Sequence, residues 1–182
     1  MQGLAMEPKM LKNRLTPGQC MDVLDRVGEA VLSMVAEDGG PYAVPVNFVR
    51  IGDRLYYHGR RTGTRVVCME HDERCCLVAY DRVQYEDYGP DACDTTTVFE
   101  SVVVRGTIRA VDDPDTKMRV LRALTDKLTP AKAGCPVAEE RIARTGVFEI
   151  TMDEVTGKHH MPAPGSRLTH RYRIPRGQRR GM

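Results

Sequence analysis

The sequence predicts an α+β protein, a small antiparallel barrel with helices packed on its outside, and three observations carry that expectation. Segments with the period-two alternation of a strand outnumber segments with helical spacing. Consecutive extended segments are joined by short turn signals, Asp38-Gly39-Gly40 and Gly52-Asp53, which make hairpins rather than the long crossovers of a doubly wound sheet. The chain has 182 residues, 41% apolar and 29% charged. That is the composition of one ordinary domain, able to bury roughly two thirds of its unfolded surface without a disulfide or metal to hold it.

Each element has its own signal. A helix opens at Thr16-Pro17-Gly18-Gln19, where the threonine hydroxyl caps, proline fits the first helical position and Gln19 reaches back to complete a capping box. Met21, Leu24, Val27 and Val31 follow at helical spacing. Residues 30–36 then read as a strand, and residues 42–49 as its hairpin partner. Pro45 gives no ladder donor, so it places the second strand at an edge or a bulge and leaves nearby backbone groups free for something other than a neighbouring strand. Residues 54–58 form a third strand, residues 59–65 break the pattern, and residues 66–71 form a short helix. Another strand covers 75–80; residues 81–94 are polar, with Gly89-Pro90 marking a loop. A long strand runs from Thr96 to Val111 with Val102, Val104 and Ile108 on one face. Asp113-Pro114 starts a helix bearing Met118, Leu121, Leu124 and Leu128. A shorter helix at 137–143 and a last strand at 146–152 complete the order.

The net charge of +2 hides a split. No acidic residue follows Glu154, and seven of the 27 lysines and arginines do, so residues 1–154 hold 20 basic against 25 acidic residues, a net of −5. The basic end is rich in proline and glycine and has little to bury. It reads as a solvated or loosely docked arm rather than a nucleic-acid or membrane-binding segment, since Tyr172 is the one aromatic among its arginines. No stretch reaches the roughly 18 apolar residues of a spanning helix, and the first residues lack the apolar core of a secretory signal. The six cysteines contain no Cys-x-x-Cys spacing. A soluble cytoplasmic protein with reduced thiols is expected.

The segment from His58 to Arg65 is the richest in chemistry. Between a strand end and a helix start it offers free backbone amides, the hydroxyls of Thr62 and Thr64, and the guanidiniums of Arg60, Arg61 and Arg65. An anionic phosphate needs such groups; a solvated turn that happens to carry arginines is the other reading. Neither a Walker loop nor a Gly-x-Gly-x-x-Gly after a strand is present. His58 at the strand end could orient a ligand or exchange a proton, or be a surface histidine. Cys68, His71, Cys75 and Cys76 are close in sequence, but adjacent strand residues face opposite ways, so the cysteines read as small core residues and no metal site is expected.

Taken in order, these segments resemble the FMN-binding split-barrel family related to pyridoxamine 5′-phosphate oxidase, and within it the nitroimidazole-resistance group. The resemblance rests on Leu15-Thr16; on Gly40-Pro41-Tyr42-Ala43-Val44-Pro45-Val46-Asn47-Phe48; and on Gly52-Asp53-Arg54-Leu55-Tyr56-Tyr57-His58-Gly59 with Gly63-Thr64-Arg65. Arg74-Cys75-Cys76, Ala92-Cys93-Asp94, Phe99-Glu100-Ser101-Val102 and Val155-Thr156-Gly157-Lys158 follow. It spans roughly residues 9–157, which implies a split-barrel domain over 1–157 and a separate basic tail over 158–182.

The resemblance implies a six-stranded split barrel with flanking helices, working as a homodimer with FMN in clefts between subunits. Backbone at Val44, Pro45 and Val46 would run beside the isoalloxazine. His58-Gly59 through Thr64-Arg65 would approach the flavin phosphate, with Thr96 and Ser101 contributing from the long strand, across the dimer. His58 stands where the nitroimidazole-resistance group has a histidine near the active site. The implied activity is an FMN-dependent, nitroreductase-like oxidoreductase passing electrons from NADH or NADPH to a small acceptor. A flavin- or haem-binding protein without turnover, with His58 or His71 as axial ligand, and a pyridoxamine 5′-phosphate oxidase-like enzyme are the alternatives. Thr95 and Glu100 depart from the group's pattern, and strand alternation turns Glu100 away from Ser101 and toward solvent. The chain has no tryptophan, and Arg171-Tyr172-Arg173-Ile174-Pro175 is the faint counterpart of the oxidases' substrate segment.

Overall fold

The computed structural model describes residues 12–169. Helix α1 (Pro17–Arg26) begins with the expected capping box: the Thr16 hydroxyl accepts from the Gln19 amide, and the Gln19 side chain accepts from the Thr16 amide at 2.8 Å. Strands β1 (Glu29–Val35), β2 (Pro41–Ile51) and β3 (Arg54–Gly59) form two successive hairpins. Helix α2 (Thr64–His71) follows, starting two residues earlier than the sequence suggests. Strand β4 (Arg74–Asp87) returns beside β1, and β5 (Thr95–Val111) pairs back along it. Helix α3 (Pro114–Leu128), capped by the Asp113 carboxylate, leads through a short 3-10 turn to α4 (Glu139–Arg144) and then to β6 (Gly146–Thr151), β7 (Glu154–His160) and β8 (Arg167–Thr169).

Six strands close a ring in the order β1-β2-β3-β6-β5-β4, every contact antiparallel. This is the six-stranded α+β barrel expected from the sequence. Closure depends on the length of β5. Its first part lies against β4, while Ile108–Val111 pair with β6. Beyond β6 the same edge of β5 is continued by β7, which pairs with Phe99–Arg105. The two partners part at Gly106, where an added Cβ would lie 2.0 Å from the Thr151 carbonyl, so only glycine lets the strands come this close.

Alternation along the strands fills the barrel. Leu32, Phe48, Leu55, Tyr57, Leu77, Val102, Val104, Ile108 and Ile150 are all buried in one core. Cys20, Val23 and Leu24 of α1 enter that core, as does Cys68 of α2. Helix α3 lies outside, over Val49, Tyr56 and Val147. Adjacent Cys75 and Cys76 divide as expected, the first buried and the second half-buried.

Two parts of the chain differ from the sequence reading. Residues 81–87, expected in a loop, extend β4 beyond an irregularity between Asp81 and Gln84, because Thr95–Val98 of β5 supply a partner for them. The chain also runs through the expected boundary at 157 as strand β7, and Arg167–Thr169 pair with Tyr85–Asp87 of β4. The rest of the basic end, residues 170–182, lies outside the described residues.

Candidate functional site

The ring is incomplete beside β2. Strand β3 pairs with β2 only from Phe48 (opposite Tyr57) to Ile51, whereas on its other side it stays paired with β6 as far as Gly59, opposite Gly146. His58 and Gly59 therefore leave with β6, and the edge of β2 before Phe48 loses its neighbour. The Phe48 amide donates to the Gly28 carbonyl on the β1 side at 3.1 Å. Hydrogen-bonding direction alternates along a strand, so Val44 and Val46 also face β1 through their backbone. Ala43, Pro45 and Asn47 face the opening, where the missing donor of Pro45 costs nothing. The side chains of Val44 and Val46 point into the core; the exposed Pro45 ring points out.

The start of α2 follows the end of β3 that parts from β2. Gly63 is its N-cap, with φ of +116° and no side-chain cap. The Val66 and Val67 amides both reach the Gly63 carbonyl, so the Thr64 and Arg65 amides have no partner within the helix. Arg60, Arg61, Thr62 and Thr64 are exposed around this terminus, and Arg61 ties the loop to α4 through the Ala143 carbonyl at 3.4 Å.

Arg65 turns inward to close the barrel end. Its guanidinium lies 5.0 Å from the Tyr57 ring centroid and 5.9 Å from that of Phe148, two rings stacked 4.9 Å apart. Gly59 makes room, since a Cβ there would sit 2.0 Å from Arg65 Nη2. The Arg65 Nε is buried without a hydrogen-bond partner, and among the described residues no carboxylate pairs with this side chain. A buried, unpaired guanidinium donor beside unsatisfied helix amides is the donor set a phosphate monoester requires, so the residues present fit the phosphate of a flavin nucleotide. Desolvation and then the Arg65 charge hold the His58 imidazole below its ordinary range. Burial pushes the Tyr57 phenol well up.

Pro45 thus borders the opening beside β2, His58 and Gly59 end β3 with Arg65 against Gly59, and Thr64 begins α2, while Val44 and Val46 turn their side chains into the core and their backbone toward β1. Thr96 and Ser101 do not join them within one chain. Ser101 is opposite Tyr80 of β4 and Lys158 of β7, and Thr96 opposite Glu86, about three strand spacings or roughly 14 Å along the wall from β2. His71 lies at the other end of α2, roughly 10 Å from Thr64. Glu100 requires a correction. It faces away from Ser101 as alternation demands, yet it does not turn to solvent: Arg26 donates to it at 2.7 Å and to Asp81 at 2.6 Å, because the end of α1 lies over that part of β4 and β5. No group of three or more metal-ligating side chains occurs among the described residues.

Sequence reasoning missed the Tyr57–Phe148 platform and the facing pair Gly59–Gly146. Alternation from Leu55 could have turned Tyr57 inward, but only the β3–β6 register places Phe148 against it.

An antiparallel ring of six strands opened beside β2 defines a split-barrel protein. The chain belongs to the pyridoxamine 5′-phosphate oxidase family, whose model matches residues 16–159. No curated protein matches it. Solved structures of the same fold include a candidate 5-nitroimidazole antibiotic resistance protein from Bacteroides thetaiotaomicron, 19% identical, covering 80% of this chain and 85% of the other with a TM-score of 0.70. A flavocytochrome from Azotobacter vinelandii is 23% identical, covering 97% and 89%, TM-score 0.75. An FAD- and haem-binding protein from Mycobacterium smegmatis is 22% identical, covering 79% and 71%, TM-score 0.70.

Proposed function

We propose that this chain binds FMN in the cleft between β2 and α2 and works as a homodimeric oxidoreductase, passing electrons from NADH or NADPH to a small acceptor such as a nitroimidazole. The observation that carries the reading is the β2 edge left unpaired by β3 at Ala43–Asn47, together with the uncapped, arginine-bearing start of α2 that follows β3. Arg65 and the Thr64 and Arg65 amides hold the phosphate. The outward backbone groups of Ala43, Pro45 and Asn47 line the ring edge. When bound, the flavin supplies hydride acceptance and electron transfer; the protein supplies position and charge. His58, kept neutral near pH 7, orients the acceptor by hydrogen bonding. The outer face of β1, β4 and β5 presents half-buried Val31, Val78 and Val103 with Tyr80 54% exposed. A second copy on that face would bring its own Thr96 and Ser101 toward the cleft. No helix is long and apolar enough to cross a membrane among the described residues.

A neutral imidazole at a cleft is also what an iron porphyrin requires, so haem at His58 is the second reading, favoured by the depressed His58 titration. The test is the absorbance spectrum after soaking with FMN or haemin and desalting, for the wild type and Arg65→Ala. The flavin reading expects retained flavin in the wild type, a loss of at least about tenfold in affinity for the variant, and similar thermal unfolding. Equal flavin content in both proteins contradicts the phosphate assignment, and a Soret band lost in His58→Ala replaces it with haem.

A further inference from the structure

Gly59 and Gly146 face each other across β3 and β6 and hollow out the place where the Arg65 guanidinium lies. A Cβ on Gly59 would overlap Nη2 and stand 3.1 Å from Cζ, while one on Gly146 would press on the Phe148 ring at 3.0 Å and on the Gly59 carbonyl at 3.1 Å. The rings of Tyr57 and Phe148 make the floor, their centroids 5.0 and 5.9 Å from the guanidinium carbon. Attraction to two ring faces holds the group there, and it leaves Nε buried without a hydrogen-bond partner. A buried donor left unmade is costly, whereas a phosphate oxygen offers a charge-assisted bond. In this position Nε is sealed from the surface. The guanidinium must leave the hollow before a ligand can use that donor.

We propose that Arg65 has two positions, stored over Tyr57 and Phe148 in the ligand-free protein and turned out when a phosphate monoester binds, and that Gly59 and Phe148 are positioning residues that set the balance between them. The inference rests on the flavin reading only for the carrier of the phosphate; the two positions follow from the hollow and the sealed Nε. Storage competes with the ligand, so the apparent phosphate affinity is the affinity of the turned-out form multiplied by the fraction of molecules in that form. A hold of ordinary cation–π strength lowers it by about two- to thirtyfold. Filling the hollow should therefore tighten phosphate binding, although Arg65 itself is untouched. Gly59→Ala does this at little structural cost, because the atoms its methyl meets are the far end of a flexible side chain. Riboflavin, which lacks the phosphate, should not register the change.

The test is nitrogen-15 NMR of the arginine Nε–H groups, with Arg65→Lys identifying the signal, alongside the affinities of FMN and riboflavin. In the flavin-free wild type the Arg65 Nε–H should lie upfield of the other arginines, shifted by the ring faces, and exchange slowly with water. FMN, and inorganic phosphate at millimolar concentration, should bring it to the ordinary position. In Gly59→Ala it should stand there before any ligand is added, and in Phe148→Leu it should lie part of the way. Both variants should bind FMN at least about twofold tighter than the wild type, with riboflavin unchanged. An Nε–H that keeps its upfield shift in the FMN complex overturns the inference. So does FMN affinity that is unchanged or lowered in both variants. If FMN does not bind at all, the functional reading falls and the phosphate arm decides this one: a signal moved by phosphate keeps the two positions, and an unmoved signal removes them.

Discussion

Arg65 shows how one side chain serves both core and cleft. Its guanidinium closes the barrel over Tyr57 and Phe148, an arrangement that needs glycine at 59, and its Nε is buried without a hydrogen-bond partner, the donor that the flavin reading gives to the phosphate. A cation so close explains part of the His58 shift, since charging the imidazole beside Arg65 is unfavourable. NMR titration of the flavin-free protein should therefore place His58 below the ordinary histidine value of 6.5, so that the ring is neutral at pH 7. In Arg65→Met the value should rise, though not fully, because desolvation is the larger cause. A His58 value at or above 6.5 in the wild type would remove the basis for its neutral role. At this scale the sequence was informative about polar groups: residues 58–65 stood out by their arginines, threonines and glycines as either an anion-binding loop or a solvated turn. The partners of those groups were not legible, because Phe148 and Gly146 meet Tyr57 and Gly59 across 90 residues of chain through strand register alone.

Among the elements, local signals worked where a local cause decides. The Thr16–Gln19 capping box, the turns at Gly39 and Gly52 and the proline at an open strand edge all act within a few residues, and the structure reproduces each. Strands β7 and β8 were invisible because polar sequence such as Lys158-His159-His160 becomes a strand only when a long partner offers its edge. What fastens this last segment is Glu86, 2% exposed. It accepts from the Ala163 amide at 2.6 Å and bonds His160 Nε2 at 2.9 Å. Hydrogen bonds from the Ser166 hydroxyl, then from His160 and the Ala163 amide, hold the Glu86 carboxyl below its ordinary value of 4.5. A lowered carboxyl stabilises the attached form above the ordinary value, and that contribution disappears as pH falls through the lowered one. Hydrogen exchange at residues 160–169 should therefore be slow at pH 7, become fast at strongly acidic pH before β1–β3 open, and be fast already at pH 7 in Glu86→Ala. Uniform protection of the segment in that variant would show that β8 pairing alone holds it.

Among the described residues, helices α1 and α2 send side chains into the core and α3 covers the wall at β3 and β6, while the outer face of β1, β4 and β5 leaves Val31, Val78 and Val103 half-buried and Tyr80 exposed. The fold class was fully legible, since short hairpin turns and alternation leave few ways to close an antiparallel sheet of this size. The opening beside β2 was legible only through Pro45 and the family resemblance, and the outer face of β1, β4 and β5 not at all, because half-buried valines look the same in sequence whether a helix or a second chain covers them. The functional reading stands on flavin held in a cleft that a second copy of the chain completes. Sedimentation velocity recorded at the flavin absorbance band tests this most directly, on protein soaked with FMN and freed of excess. Flavin should move with a species of twice the 20.4 kDa chain mass, at one flavin per chain. Flavin left at the meniscus, or moving with a single chain, would contradict it.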